Sequence, residues 1–482
     1  MNNLSVDKLQ GNRALRCAAT KILFILTIFV FLPFGISAGL IDESNAQQAP
    51  APSNGIPSPS IATSLPSNGD WDGARAALAQ RGIAYGIDYI GEVLGNASGG
   101  RRQGTIYEGR LEGVLEADLE KLMGLHGLTF HGNAYQIHGS GLSREDLGNL
   151  LAVSSIEALT STRLYELWLE QKFGSKLSIR AGQLAADSEF QISTNGANFV
   201  NGAFGWPAIV SSDLPSGGPA YPFATPGIRA KFDPTDRISF LIGLFDGDPA
   251  GPGSDDPQRR NRNGTNFRLN DDPFLIGEAQ YKYNQDKNSA GLAGTVKFGA
   301  WNHFGDFHDL RFDTVGLSLA NPSSTGIAAK LGGNYGFYGI VDQQIYRLPG
   351  ASSDKGINVF ARLAGSPEDR NLIDFYTDGG FVFNGFVPGR PGDSFGFGFA
   401  YASISDSARG LDEDTNLFAA SPLPVRNYEA AAEVYYKAEI VPGFVIQPDF
   451  QYIWRPGGNV AGANGAPLGD AAIGGVRVSI NY

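Results

Sequence analysis

Charged side chains occupy nearly every second position of residues 105–120, "TIYEGRLEGVLEADLE". They are Glu108, Arg110, Glu112, Glu116 and Asp118. Carboxylates accept hydrogen bonds and a guanidinium donates them in a fixed fork, so one face of this segment can hold a polar solute. The residue types favour binding through hydrogen bonds over covalent chemistry.

The same alternation recurs along the chain and supplies further candidate binding residues. By parity with the apolar positions around them, these are Glu166, Trp168, Glu170, Arg180, Arg229, Glu278, Lys282, Asp449 and Gln451. For each of these residues taken singly, the simpler interpretation is a solvated position on the polar face of its strand. Opposite charges on adjacent strands can also pair with each other and stiffen the sheet.

Other chemistry has little support in the sequence. The five histidines are His126, His131, His138, His303 and His308. The first three do not share one strand parity, so we expect no metal site there; the last two are predicted in a loop, where a stray cation is the alternative. No serine pairs with an in-strand histidine as a hydrolase requires. We predict no metal, no cofactor and no enzymatic activity.

The segment 105–120 has two possible structures. Tyr107, Leu111 and Leu115 fit one stripe of a helix, but they also alternate with charged residues as in a strand. Gly109 and Gly113 would each cost a helix about 1 kcal/mol. A strand is therefore predicted, with its apolar face toward lipid and its charged face toward water.

About sixteen segments follow this two-residue period. They lie near 83–94, 105–119, 126–137, 162–173, 175–183, 225–232, 236–245, 273–283, 290–301, 334–347, 355–363, 371–383, 393–402, 427–438, 443–453 and 472–482. In the fourth segment, Tyr165, Leu167, Leu169 and Phe173 are predicted to face lipid.

Short turns and long loops alternate between these segments. This is typical of a transmembrane antiparallel β-barrel of the outer-membrane type, with short periplasmic turns and long extracellular loops. A soluble β-sandwich is the alternative, but the apolar face is often Tyr, Ala or Gly, which suits a membrane interface better than a core.

Composition agrees with an aromatic, turn-rich β protein. The 482 residues include 64 Gly, 31 Phe and 18 Tyr, and the formal net charge is −12. The negative charge excludes nucleic acid as an expected partner.

The N-terminus predicts export. Basic residues precede the apolar run 22–34, and small-residue sites follow at 36–38 and 44–46. Cleavage at the later site is preferred, so residues 1–46 are interpreted as a signal peptide. A membrane anchor is the alternative, but the apolar run is short for a membrane span. The sole cysteine, Cys17, would leave with it. Residues 47–69 are rich in Pro and Ser and are predicted to be a disordered leader. Residues 70–482 form the predicted barrel domain, which begins with a short helix.

Three stretches are more specific than the alternation of apolar and polar residues: "DWDGARAALAQRGIAYGIDYIGEVLGN" (70–96), "YELWLEQKFGSKLSIRAGQLAADSEF" (165–190) and the closing "VRVSINY". They resemble the carbohydrate-selective OprB porin family from about residue 70 onward. The resemblance implies a sixteen-stranded barrel that passes mono- and small oligosaccharides without an energy source or cofactor. It also implies that Tyr482 acts as an assembly signal for the barrel-insertion machinery. Expected partners are small sugars, outer-membrane lipid and lipopolysaccharide, with the chain a monomer or homotrimer.

Under this resemblance the charged faces line a lumen, where Arg and carboxylates hydrogen-bond to sugar hydroxyls and aromatic rings stack on sugar faces. The long connection 184–223 is predicted to fold inward and to narrow the pore with Asp187, Glu189, Phe190 and Trp206. The acidic excess favours neutral or cationic solutes over anions. A general or ion-selective porin, and a plugged barrel that works through its loops, remain alternatives.

Overall fold

A computed structural model describes residues 55–286, 289–419 and 422–482. Sixteen antiparallel strands follow one another around a closed barrel in which β16 pairs with β1. The strands are β1 (Ile83–Gly100), β2 (Gly104–Asp118), β3 (Leu128–Gly139), β4 (Ser161–Phe173), β5 (Leu177–Leu184), β6 (Thr225–Thr235), β7 (Ile238–Asp246), β8 (Pro273–Tyr283), β9 (Gly294–Asp313), β10 (Ala328–Arg347), β11 (Gly356–Gly365), β12 (Ile373–Asn384), β13 (Ser394–Ile404), β14 (Tyr428–Val441), β15 (Phe444–Trp454) and β16 (Gly469–Asn481). The predicted fold class and all sixteen predicted strands are confirmed.

The helices of the described residues are short, and they lie at the rims of the barrel or, in the case of residues 208–213, in the connection between β5 and β6. They are α1 (Ala74–Gln80), α2 (Leu119–Met123), α3 (Ala208–Asp213), α4 (Pro257–Arg260), α5 (Asp406–Phe418) and α6 (Pro456–Asn459). No helix in the described ranges is long and apolar enough to cross a bilayer.

The two faces of each strand have opposite character, as the period of two predicts. On β2, Tyr107, Leu111 and Leu115 are 47%, 40% and 44% exposed, whereas Glu108 between them is 3% exposed. Side chains alternate across a strand, so the exposed apolar row faces lipid and the charged row faces the lumen.

Two strand ends differ from the sequence predictions. Leu119 was placed in a strand but begins α2, because Asp118 caps that helix by accepting hydrogen bonds from the Glu120 and Lys121 amides. His303 and His308 lie in β9, which continues to Asp313 instead of ending near residue 301. In both cases the predicted end of the strand was wrong: a helix cap ends β2 early, and β9 continues beyond its predicted end.

Tyr165 is the clearest reversal of predicted facing. The sequence placed it toward lipid, but its side chain is 6% exposed and its hydroxyl donates to Asp187 at 2.9 Å inside the barrel. The pairing of β3 with β4 changes register between Gly132 and Ala134. This bulge inserts one residue into β4 and reverses the facing of the residues before it.

The N-terminal segment packs against the periplasmic rim. Residues 1–54 lie outside the described residues, but 55–69 contain two 3-10 turns, Ile61–Ser64 and Pro66–Gly69, in contrast to the disordered leader predicted for 47–69. Arg75 on α1 is 2% exposed and donates to the backbone oxygens of Gly55, Tyr85 and Tyr482 at 3.1, 2.8 and 3.2 Å. The segment thereby ties the first strand to the last residue of the chain.

Candidate functional site

The connection 185–224 folds into the barrel, as predicted, and is called here the inward loop. Asp342 on β10 accepts hydrogen bonds from Ser193 Oγ and from the Thr194 and Asn195 amides at 2.7, 3.3 and 3.1 Å. Glu433 on β14 accepts from the Val200 amide at 2.6 Å. These carboxylates replace the water that the loop amides would otherwise need.

Basic and acidic groups fasten other parts of the same loop. Arg362 on β11 is fully buried and donates to the carbonyls of Gln191, Ala203 and Gly205, each at 2.7 Å. Glu278 on β8 accepts from the Gln191 amide at 3.0 Å. The walls made by β8, β10, β11 and β14 are thus committed to holding the loop.

A second connection, residues 140–160, also enters the barrel, which was not predicted from the sequence. Glu429 on β14 accepts from the Leu150 and Leu151 amides at 2.9 and 2.6 Å. Leu147, Leu151 and Val153 are fully buried. The apolar run "LGNLLAV" is the signal that indicates a buried segment, since an extracellular loop has little reason to carry it.

The two inward segments leave a cavity of about 950 Å³ beside β2, β3, β4 and β5. It runs from the periplasmic rim, at Gly82 and Gly127, to Trp206 and Ser211 of the inward loop. Of the predicted site residues, it brings together Arg110, Glu112, Glu116, Asp118, Glu166, Trp168, Glu170, Arg180, Asp187, Glu189 and Trp206. Phe190 does not line the cavity, because its ring is buried against Phe245. The open space in the lumen therefore lies against the wall that carries most of the predicted residues.

Of the two arginines that line the cavity, Arg110 has fewer hydrogen-bond partners than Arg180. Its side chain is 18% exposed, and the one acceptor it reaches among the described residues is Glu112, at 3.5 Å from Nη2. The guanidinium carbon lies 4.7 Å from the centre of the Tyr135 ring and 5.5 Å from that of Tyr221. The aromatic rings hold the guanidinium plane without consuming its donors.

Asp187 lies beside this cluster, on the inward loop. Its carboxylate accepts from the Tyr165 hydroxyl at 2.9 Å and from the Tyr221 amide at 2.8 Å. Burial raises the pKa of Asp187 to about 6, although these two hydrogen bonds act in the opposite direction. Tyr135 and Tyr221 were not among the predicted site residues, because no charge pattern marks them.

Trp168 offers no free ring face to a solute. The His131 ring stacks on it with centroids 4.6 Å apart, and the Arg180 guanidinium carbon lies 3.6 Å from its centre. These neighbours come from β3 and β5, the strands on either side of β4. Trp168 is therefore a packed element of the wall that orients Arg180, and a stacking role is left to Trp206, which is half-buried at the cavity edge.

Arg180 and Arg229 form a closed network with Glu170 and Glu189. Arg180 contacts Glu170 and Glu189 at 3.0 Å each, and Arg229 contacts Glu170 at 2.7 Å and also pairs with Glu189. Because each guanidinium is matched by two carboxylates, this group stiffens the junction between β4, β5, β6 and the inward loop. The alternative interpretation of paired wall charges fits these residues.

The remaining predicted residues lie away from the cavity lining. Glu278 holds the inward loop, and Gln451 bonds to Asn201 and to the Val153 carbonyl at 2.9 and 2.8 Å. Asp449 accepts from Gln451 at 2.9 Å. Glu108 and Lys282 face inward on β2 and β8 but are not among the residues that line the cavity.

The lining of the cavity is predominantly acidic. Its acidic members are Glu112, Glu116, Asp118, Glu120, Glu157, Glu166, Glu170, Asp187 and Glu189. Its basic members are Arg110, Lys121, Lys172 and Arg180. Among the described residues, no group of three or more His, Cys, Asp or Glu side chains is arranged to hold a metal ion.

Comparison with known proteins gives concordant matches. Porin B of Pseudomonas aeruginosa is 25% identical over 418 residues, which cover 81% of this chain and 87% of that protein. A putative porin, QuiX, of Acinetobacter baylyi is 20% identical over 436 residues, covering 86% of this chain and 92% of that protein.

Among solved structures, the high-pH structure of Pseudomonas putida OprB matches with a TM-score of 0.74 and 22% identity, covering 86% of this chain and 97% of that one. This likeness shows the fold. Residues 102–482 match the family model described as "Carbohydrate-selective porin, OprB family". The chain therefore belongs to the OprB family of carbohydrate-selective porins and is a sugar-selective channel of the outer membrane.

Proposed function

We propose that mono- and small oligosaccharides diffuse passively along the cavity beside β2–β5, with Arg110 as the principal hydrogen-bond donor to the sugar. The observation that carries this proposal is the incomplete pairing of Arg110, which reaches one described acceptor at 3.5 Å. A guanidinium with unused donors binds sugar hydroxyls, whereas the matched Arg180 and Arg229 do not need them.

Acceptors and a ring face complete this proposed contact. Glu112 lies beside Arg110, so a hydroxyl pair can donate to one group while it accepts from the other. Trp206 lines the same cavity and supplies an apolar plate. Such contacts are weak one by one, which allows a solute both to bind and to leave.

The test is single-channel conductance of the purified protein in a planar bilayer, with glucose and then a disaccharide added to the salt solution. Saturable block of the current is expected, and Arg110→Gln is expected to weaken it about fivefold, the equivalent of about 1 kcal/mol for one hydrogen-bonding group. Lys172→Gln is the matched control, because it removes the same charge at the periplasmic end of the cavity. Equal weakening in both variants would refute a specific role of Arg110.

A general or ion-selective porin is the alternative that the same recording distinguishes, since an acidic lining also favours cations over anions. Such a channel would select cations and keep a steady current in every sugar. The family and the fold point to a channel and not to an enzyme.

We also propose that the chain is exported with removal of residues 1–46 and that it works as a monomer or homotrimer among outer-membrane lipid and lipopolysaccharide. Tyr482 is proposed as the signal to the insertion machinery. Intact-mass measurement and native mass spectrometry of protein extracted from outer membranes would check the cleavage site and the oligomeric state.

A further inference from the structure

The bulge between β3 and β4 does more than shift the strand register. Gly132 pairs with Leu167, yet Ala134 pairs with Leu164, so β4 contains one extra residue at this point. As a result Tyr165 and Glu166, which are neighbours in sequence, are both buried on the lumen side at 6% exposure each. A regular strand would have pointed one of them toward lipid.

Asn133 is the residue opposite this bulge, and its side chain bonds to both neighbouring strands. Its Oδ1 accepts from the Glu166 amide on β4 at 2.7 Å. Its Nδ2 donates to Oε1 of Glu112 on β2 at 2.7 Å. The other oxygen of Glu112 is the one that contacts Arg110.

We propose that Asn133 is a positioning residue for sugar recognition, which sets the orientation of the Arg110–Glu112 pair and holds the bulge that presents Tyr165 to the cavity. This inference rests on the proposed function of the cavity. The side chain must donate and accept at once, and its length is fixed by two 2.7 Å contacts. An amide of this length meets both requirements, whereas an ionised aspartate lacks the donor.

The chemistry of aspartate supplies a test that a merely structural role would not satisfy. In Asn133→Asp, a carboxylate lies against Glu112 at neutral pH and repels it. When the pH falls, a proton binds between the new carboxylate at position 133 and Glu112. The protonated side chain then donates an O–H to Glu112 again, while its carbonyl still accepts from the Glu166 amide. The other titratable or charged groups around the site are Asp88 on β1, Arg110 and Glu116 on β2, His131 and Tyr135 on β3, Tyr165 and Glu166 on β4, and Asp187 on the inward loop.

The experiment measures sugar block of single channels at pH 7.5 and pH 5, with each variant compared with the wild type at the same pH. Asn133→Asp is expected to weaken the block about tenfold at pH 7.5 and to recover most of it at pH 5. Asn133→Ala is expected to weaken the block at both pH values. Asn358→Asp on β11 is the control, since it adds the same charge to a strand remote from the bulge.

The outcomes separate this inference from the proposed function. Block that is unchanged in both Asn133 variants, or an Asn133→Asp defect that does not recover at pH 5, would refute the positioning role and leave the proposed function intact. A wild-type channel that no sugar blocks would refute the proposed function itself. If Asn133→Ala fails to fold, Asn133→Asp carries the test alone: a defect at pH 7.5 that recovers at pH 5 supports the positioning role, and block equal to that of the wild type at both pH values refutes it.

Discussion

Replacing Asp342 with alanine is expected to widen the pore, because this carboxylate on β10 holds one stretch of the inward loop. Oδ1 accepts from Ser193 Oγ at 2.7 Å and from the amide and side chain of Asn195 at 3.1 and 2.8 Å. Oδ2 accepts from the Thr194 amide at 3.3 Å. The residue is 7% exposed, so little water is available to replace these contacts.

The magnitude follows from these four contacts. A hydrogen bond to a charged group contributes about 1.5–3 kcal/mol, but four donors that share one carboxylate do not contribute independently. We expect about 3 kcal/mol of loop attachment to be lost, which raises the detached population of residues 193–195 about a hundredfold. The loop remains fastened at Arg362 and Glu433, so the barrel itself is expected to stay folded.

The assay is the mean current and the open-channel noise of single channels, with heat-modifiable migration on a denaturing gel as the check of folding. Asp342→Ala is expected to conduct more and to fluctuate more than the wild type. Asp342→Asn is the control, because a carbonyl at the position of Oδ1 keeps three of the four contacts. An alanine variant with the mean current, noise and sugar block of the wild type would refute the tethering argument.

Three further predictions concern charge, the rim and the wall. Cation selectivity should fall as the pH is lowered from 7.5 to 5.5, because burial raises the pKa of Asp187 to about 6 and its carboxylate then loses its charge. The Asp187→Asn channel should lack this pH-dependent part of the selectivity. Reversal potentials in a salt gradient measure the selectivity, and the same dependence on pH in both channels would contradict the prediction. Arg75→Ala should lower the free energy of unfolding by about 2–4 kcal/mol, since three backbone oxygens, that of Tyr482 included, lose their donor; urea unfolding in detergent tests this, with Arg75→Lys as the milder control. Trp168→Ala should lower the thermal stability of the barrel, because the indole packs between His131 and Arg180, and it should change the sugar block little. Loss of block at unchanged thermal stability would show that the indole contacts the solute.

The sequence by itself determined the sixteen strands, the lipid and lumen faces of most of them, and the rims on which turns and long loops lie. These features depend on neighbours close in the chain, since alternation has a fixed period and turns have their own residue preferences. The row Glu108, Arg110, Glu112 faces the lumen as predicted, because β2 is regular there. The inward course of 185–224 was also predictable from its length.

Only the tertiary structure decided which inward residues meet open space. Glu278 and Asp449 are as charged in sequence as Arg110 and Glu112, yet Glu278 holds the inward loop and Asp449 contacts Gln451, while the other pair lines the cavity. The difference arises because the connections 140–160 and 185–224 pack against the strands that carry Glu278 and Asp449 and leave the wall of β2–β5 open to the cavity.

The bulge opposite Asn133 shows the same limit at the scale of one residue. Tyr165 fits the outward parity of its own strand, but it faces inward because the pairing of β3 with β4 shifts register, and Asn133 on β3 bonds to the Glu166 amide beside this shift. A period of two is a property of one strand, whereas a bulge is a property of two strands together. The facing of Tyr165, and with it part of the proposed sugar site, therefore could not be determined before the strands were paired.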